Sequence, residues 1–265
     1  MRFAALISTH VFACVMAAAF SSCDQPLRDG TGADLPSKQL SEAKSVGHVV
    51  PNPEPFKVEI KASADEREAG AVVYFIGRYA VEFVHGSDSK PEAIYDLEEM
   101  SWRDRSPLGT LRLADCQAWA KASAGRSRAS IARTTDPELR RFIELMLDPQ
   151  FKVTTEEDRV ILINDVLMYE IHSTQTLSKA NRDRFFSYDT LNAYRKAMVE
   201  RKLPPTPQLE IDKEMAARKL VPSEIICTIT TPNGKLRLKI NLQVGPMSAE
   251  ETGRMESLVL KQNTR

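Results

Sequence analysis

The chain has 265 residues, with lysine plus arginine equal to aspartate plus glutamate at 36 each. That balance excludes a global field that would draw nucleic acid or a strongly acidic partner. With 42% hydrophobic residues and 7% aromatic, the chain can bury the core of one fair-sized domain or two small ones.

The N-terminus reads as an export signal. Arg2 is followed by a mostly apolar, Ala/Ser-rich run from Phe3 to Phe20, and small residues precede Cys23. The end of this segment, Phe20-Ser21-Ser22-Cys23, resembles the lipobox of bacterial lipoproteins, in which a cysteine is acylated and becomes the mature N-terminus. Ser21 and Ser22 occupy the small-residue positions, and Phe20 stands where that family usually has Leu. The resemblance implies a signal over 1–22, lipidation at Cys23 and a membrane as partner. The competing reading is cleavage near Ala19 or Ser21, with Cys23 a free or paired thiol. Residues 23–55, rich in proline and glycine, have the composition of a flexible linker and leave 56–265 as a single α+β domain. Ser41-Glu42-Ala43-Lys44 matches an S-x-x-K pattern but sits in that linker, without the cleft such chemistry needs.

From Val72 to Val84 the chain reads as a strand with a bend at Gly77, and Tyr79, Val81 and Phe83 alternate with Arg78, Ala80 and Glu82. Two short strands follow, one with Ala93, Tyr95 and Leu97 and one with Met100 and Trp102; a helix from Pro91 is the alternative. Cys116 and Trp119 lie at helical spacing within Asp115–Ser123, and 125–133 is a polar, basic stretch. The clearest helix starts at Asp136-Pro137, where Leu139, Phe142, Ile143, Met146 and Leu147 form one apolar stripe. Strands are expected at 151–154, 159–163 and 167–171. An aromatic-rich helix follows at 181–201, then a short one from Thr206-Pro207. Ile225, Cys227 and Ile229 lead through Asn233-Gly234 into Leu236, Leu238, Ile240, Leu242 and Val244, a hairpin with one buried face. Ser248 and Glu251 form a capping box for a terminal helix.

This succession resembles the half-barrel of the Lol-type lipoprotein-carrier family, over about Phe56 to Val244, in architecture rather than in any short motif. The resemblance implies a curved antiparallel sheet covered by inserted helices. It also implies a non-enzymatic, membrane-tethered protein of the cell envelope or periplasm that binds a lipid, an acylated protein or another apolar ligand. The alternative is an envelope interaction module with a solid core. Phe75, Tyr79, Phe83, Phe185, Phe186 and Tyr188 are the candidate cavity lining, and the same aromatics can equally be ordinary core.

Cys116 and Cys227 remain for a disulfide or as two buried thiols. Without a C-x-x-C partner they support neither zinc nor thiol redox chemistry. His85, Ser87 and Asp88 have the residue types of a hydrolase triad but are neighbours in one loop, and His172 has no companion at metal-ligand spacing. No H-E-x-x-H, G-x-S-x-G, P-loop or G-x-G-x-x-G occurs, so no cofactor is expected, and an enzyme, a hydrolase as the third reading, only through residues that are not local in sequence. Arg126, Arg128, Arg133, Arg140 and Arg141 read as a solvated, partly paired face or a lipid head-group patch. Lys235, Arg237 and Lys239 read the same two ways, or as guards of a sheet edge.

Overall fold

The structure, a computed structural model, describes residues 53–64, 67–86, 90–105, 109–157, 159–200, 202–231 and 234–263. The signal segment, Cys23 and most of the linker lie outside these residues, as do Ser87 and Asp88. Eleven strands form one antiparallel sheet. They are β1 (Phe56–Ala64), β2 (Arg67–Ile76), β3 (Tyr79–Val84), β4 (Ala93–Asp96), β5 (Ser101–Asp104), β6 (Thr110–Arg112), β7 (Lys152–Thr155), β8 (Arg159–Ile163), β9 (Leu167–His172), β10 (Glu224–Thr231) and β11 (Gly234–Pro246). Their order is β6-β5-β4-β3-β2-β1-β11-β10-β9-β8-β7. Five described helices complete the α+β architecture: α1 (Leu113–Ile131), α2 (Pro137–Leu147), α3 (Lys179–Val199), α4 (Thr206–Arg218) and α5 (Ala249–Asn263).

The path is economical. Successive hairpins carry the chain from β1 out to the edge at β6; α1 and α2 then cross one face of the sheet to the opposite edge at β7. The strands β7 to β11 return toward the centre, where β11 pairs with β1 from Phe56↔Pro246 to Ser63↔Lys239. The excursion containing α3 and α4 leaves the sheet between β9 and β10, which are themselves hydrogen-bonded neighbours. Two helices are thereby laid over the middle of the sheet without interrupting it.

Strand alternation sorts the side chains into two faces. On the inner face the row Phe56, Phe75, Ala80, Tyr95 and Trp102 runs across five paired strands. It packs against Tyr188, Leu191 and Cys116 from the helices. At the other end of the same face Leu162, Tyr169 and Cys227 meet Phe142, Met146, Ile211 and Met215. The outer face of β2 to β4 presents Ile76, Val81, Phe83 and Ile94 to Met255 and Val259 of α5.

Several elements match their sequence signals. Asp136 caps α2 by accepting from the N–H groups of Glu138 (2.9 Å) and Leu139 (3.1 Å). At α5, Ser248 N–H donates to Glu251 Oε2 (2.7 Å) and Glu251 N–H to Ser248 Oγ (3.1 Å), a complete capping box. Elsewhere the structure differs. Residues 72–84 are not one bent strand but two, because Gly77 (φ +49°) turns the chain so that Ile76 pairs with Tyr79. The stretch from Gly125 onward continues α1 as far as Ile131, since alanine and arginine favour helix and only Cys116, Ala120 and Ile131 need burial. β11 lies between β1 and β10, so Lys235, Arg237 and Lys239 guard no edge; Lys239 pairs with Glu224 on the neighbouring strand.

Candidate functional site: a cavity under the inserted helices

Strands β1, β11, β10 and β9 and the α3–α4 excursion line a half-open cavity of about 230 Å³. Its floor is apolar: Ile60 and Ala62 from β1, Tyr169 from β9, Ile225 and Cys227 from β10, and Leu238 and Ile240 from β11. Ala193 and Ala197 of α3 form part of the roof, and their small side chains keep the helix from filling the space. The corner Leu203-Pro204-Pro205, where α3 has ended and α4 has not begun, closes one side. Proline forces this break, because neither Pro204 nor Pro205 can continue the α3 hydrogen-bond ladder.

Four polar side chains reach the same cavity: Lys196, Glu200, Lys202 and Gln208. Glu200 is ion-paired with Lys202, whose ammonium is lowered from its usual range by burial, with Glu200 opposing that shift. Lys196 has no carboxylate within ion-pair distance among the described residues. Cys227 on the floor is a free thiol, pushed up to about 12 by burial, so it is protonated and weakly nucleophilic near neutral pH.

Beside the cavity, Gln208 Nε2 donates to Asp189 Oδ2 (3.2 Å) and to Asp212 Oδ1 (2.9 Å), bridging α3 to α4. Burial raises both carboxyl groups above the ordinary aspartate range, and for Asp212 the charge of Asp189 adds to the rise. Neither carboxyl lines the cavity.

The roof is fixed to the sheet by a buried polar stripe on α3. Asn181, Arg184, Tyr188, Asn192 and Arg195 fall at helical spacing and all are buried. Arg195 Nη2 meets Glu82 Oε2 at 2.8 Å, and the Tyr95 hydroxyl accepts from Arg195 Nε (2.7 Å) and donates to Glu82 Oε2 (2.7 Å). Burial alone would raise the Glu82 carboxyl, but the Arg195 charge, helped by Lys196, holds it below its usual value. Removing one partner of such a buried pair costs about 3–5 kcal/mol, because the other charge is left uncompensated. The network therefore sets how α3 sits over β3 and β4. Near the start of the helix, Arg184 lies over the Phe56 and Phe75 rings, and burial lowers its guanidinium to about 10.

The six aromatics expected to line a cavity are not brought together at it. Phe75 stacks on Phe56 (centroids 4.2 Å apart) and meets Tyr188 edge-on (5.5 Å), inside the solid inner core. Phe185 is buried in the same core and Phe186 is half-buried beside it, 5.4 Å away. Tyr79 and Phe83 point to the outer face, under Arg78 and Arg254 respectively. The turn at Gly77 inverts the face that a continuous strand would have given them. Of the two readings open for Cys116 and Cys227, the structure has the two buried thiols: both are free, in separate core clusters. Cys116 Sγ instead lies 3.4 Å from Trp102 Nε1.

His85 is packed on β2, its backbone N–H bonded to Gly70 O (3.0 Å), and its ring occupies the space a Cβ at residue 70 would need. The carbonyl of His172 accepts from Ser223. Among the described residues no group of three or more His, Cys, Asp or Glu is placed to hold a metal ion. Arg126, Arg128 and Arg133 are exposed on α1 and just after it. Arg141 binds Asp165 (2.7 Å), and Arg140 donates to Thr134 O (2.7 Å).

No family model matches the chain, and no curated protein matches it. Among solved structures, one similar chain is a LolA superfamily protein from Nitrosomonas europaea. It matches at 7% identity with a TM-score of 0.28, over 75% of this chain and 88% of that one. The sheet order and the cavity described above come from this chain's own register and packing.

Proposed function

We propose that this protein is exported, held at a membrane through an acylated Cys23, and binds an apolar ligand in the cavity beneath α3 and α4 without transforming it. The single observation that carries the reading is the cavity itself. The inner face is left open over the adjacent strands β1, β11, β10 and β9, beneath helices the chain inserts there, with an apolar floor and few polar groups. A non-catalytic role is supported by the chemistry at hand. The one thiol on the floor is held protonated, and the two displaced carboxyl groups are engaged with Gln208 between helices. An interaction module without a ligand would be favoured by a continuous apolar surface patch. The exposed large apolar side chains among the described residues, Ile163, Val199 and Leu260, come from three separate elements.

Native mass spectrometry of the purified full chain, followed by organic extraction, tests the reading. An acyl lipid is expected at near-stoichiometric occupancy. Ala193→Phe, which places a ring in the cavity, should remove it while the thermal midpoint stays within about 4 °C of the parent. A clean apo mass for the parent, or undiminished occupancy in the folded variant, would overturn it.

A further inference from the structure

The charges at the cavity are not those of a site for a wholly apolar molecule. Lys196 projects from the roof, half-buried, with no carboxylate in ion-pair reach among the described residues. Desolvating an ammonium beside apolar side chains is unfavourable unless an anion meets it. Lys202, on the same lining, has Glu200 as its partner, and that pair brings a second ammonium to the cavity at no net charge. Glu82 and Asp189 feel the Lys196 charge only at longer range, and each is already engaged elsewhere, Glu82 with Arg195 and Asp189 with Gln208. The backbone reinforces the sign: α4 begins at the cavity, and Pro205 in its N-cap position supplies no side-chain acceptor for the first turn.

We infer that the ligand is an amphiphile with one anionic head group, a carboxylate or a phosphate, which Lys196 and Lys202 hold while its chain lies over Ile60, Ile225 and Leu238. This rests on the apolar-cavity reading and adds to it the chemical class of the ligand. An acyl chain satisfies the floor, and the head group supplies the direct ion-pair contact that no carboxylate among the described residues makes with Lys196. Either head group accepts charge-assisted hydrogen bonds from the two ammonium groups.

The test compares three probes of one chain length on the delipidated full chain: dodecanoate, dodecyl phosphate and dodecanol, each titrated by displacement of a neutral fluorescent probe. An anionic probe is expected to bind about tenfold more tightly than dodecanol, as one charge-assisted contact implies. That margin should shrink as salt is added. Lys196→Gln should erase most of the margin between the anionic probes and dodecanol, and Lys196→Arg should keep it. The ordering of dodecanoate and dodecyl phosphate identifies the head group. Equal binding of all three probes, or a margin that survives Lys196→Gln, overturns the anion site and leaves the apolar cavity standing. Failure of every probe to bind overturns both. If the glutamine variant does not fold, the salt dependence of the parent and the arginine variant decide the question.

Discussion

Two buried carboxyl groups, Glu82 on β3 and Asp212 on α4, are driven in opposite directions by their neighbours. At Glu82, burial favours the neutral acid, but Arg195 in direct contact and the Tyr95 hydroxyl overcome it, so the folded value lies below the ordinary 4.5. Its contribution to stability is complete above pH 4.5 and is lost as the pH falls through that lower folded value. At Asp212 burial acts first and the Asp189 charge acts with it, raising the folded value well above 3.8. Here the fold favours the neutral form: the contribution is complete below pH 3.8 and is lost as the pH rises through the raised value. Asp212 Oδ2 receives no donor and is the oxygen left to carry the retained proton. Asp212→Asn makes that donor permanent while keeping an acceptor for Gln208. Its thermal midpoint should exceed the parent's by about 2–4 °C above neutrality and match it near pH 4. Melting curves at the two pH values check this, and an equal shift at both would mean that no proton is held there.

The elements show which parts of this architecture can be read from sequence. α2, α5 and the β10–β11 hairpin each combine a regular apolar period with a cap or turn signal, and local and tertiary demands agree. β1 goes unassigned in a reading whose strands begin at Val72, although Phe56, Val58, Ile60 and Ala62 alternate with Lys57, Glu59 and Lys61; the proline-rich linker that runs up to it hides the signal. The buried face of α3 sets Asn181, Arg184, Asn192 and Arg195 among Phe185, Tyr188 and Leu191, so its aromatics reveal the helix but not the polar network, whose partners Glu82 and Tyr95 come from β3 and β4. The cavity is harder still, being assembled from β1, β9, β10, β11 and the α3–α4 corner. Its available signal is the small pair Ala193 and Ala197, four residues apart on an otherwise bulky helix. The two layers also separate stability from binding. Met255 of α5 is fully buried against the outer face. Met255→Ala should cost about 2–5 kcal/mol in urea unfolding. Dodecanol affinity should be unchanged, because the cavity lies on the other side of the sheet; a loss of affinity in the folded variant would show that the faces are coupled.

At the scale of the whole molecule, β1 is both the first described strand and a central one, bonded to β2 on one side and β11 on the other. Whatever precedes Phe56 is thus joined directly to the middle of the sheet, beside the strands that floor the cavity. No described helix is long and apolar enough to cross a membrane. On the proposed reading, membrane attachment comes through the acylated Cys23, whereas binding resides wholly in 56–265. The two properties should then separate in one substitution. Cys23→Ser in the full chain, made in a bacterial envelope, should abolish incorporation of labelled palmitate and move the protein from the membrane to the soluble periplasmic fraction. Two acyl signals hold a protein at a bilayer far more firmly than one, so the shift should be nearly complete. The thermal midpoint and dodecanoate affinity should match the parent's, since the cavity residues all lie within 56–265. A variant that still takes up palmitate would refute acylation at Cys23. Loss of labelling without release would place the membrane contact on the folded body, with the exposed Arg126, Arg128 and Arg133 of the helical layer as the first residues to neutralise.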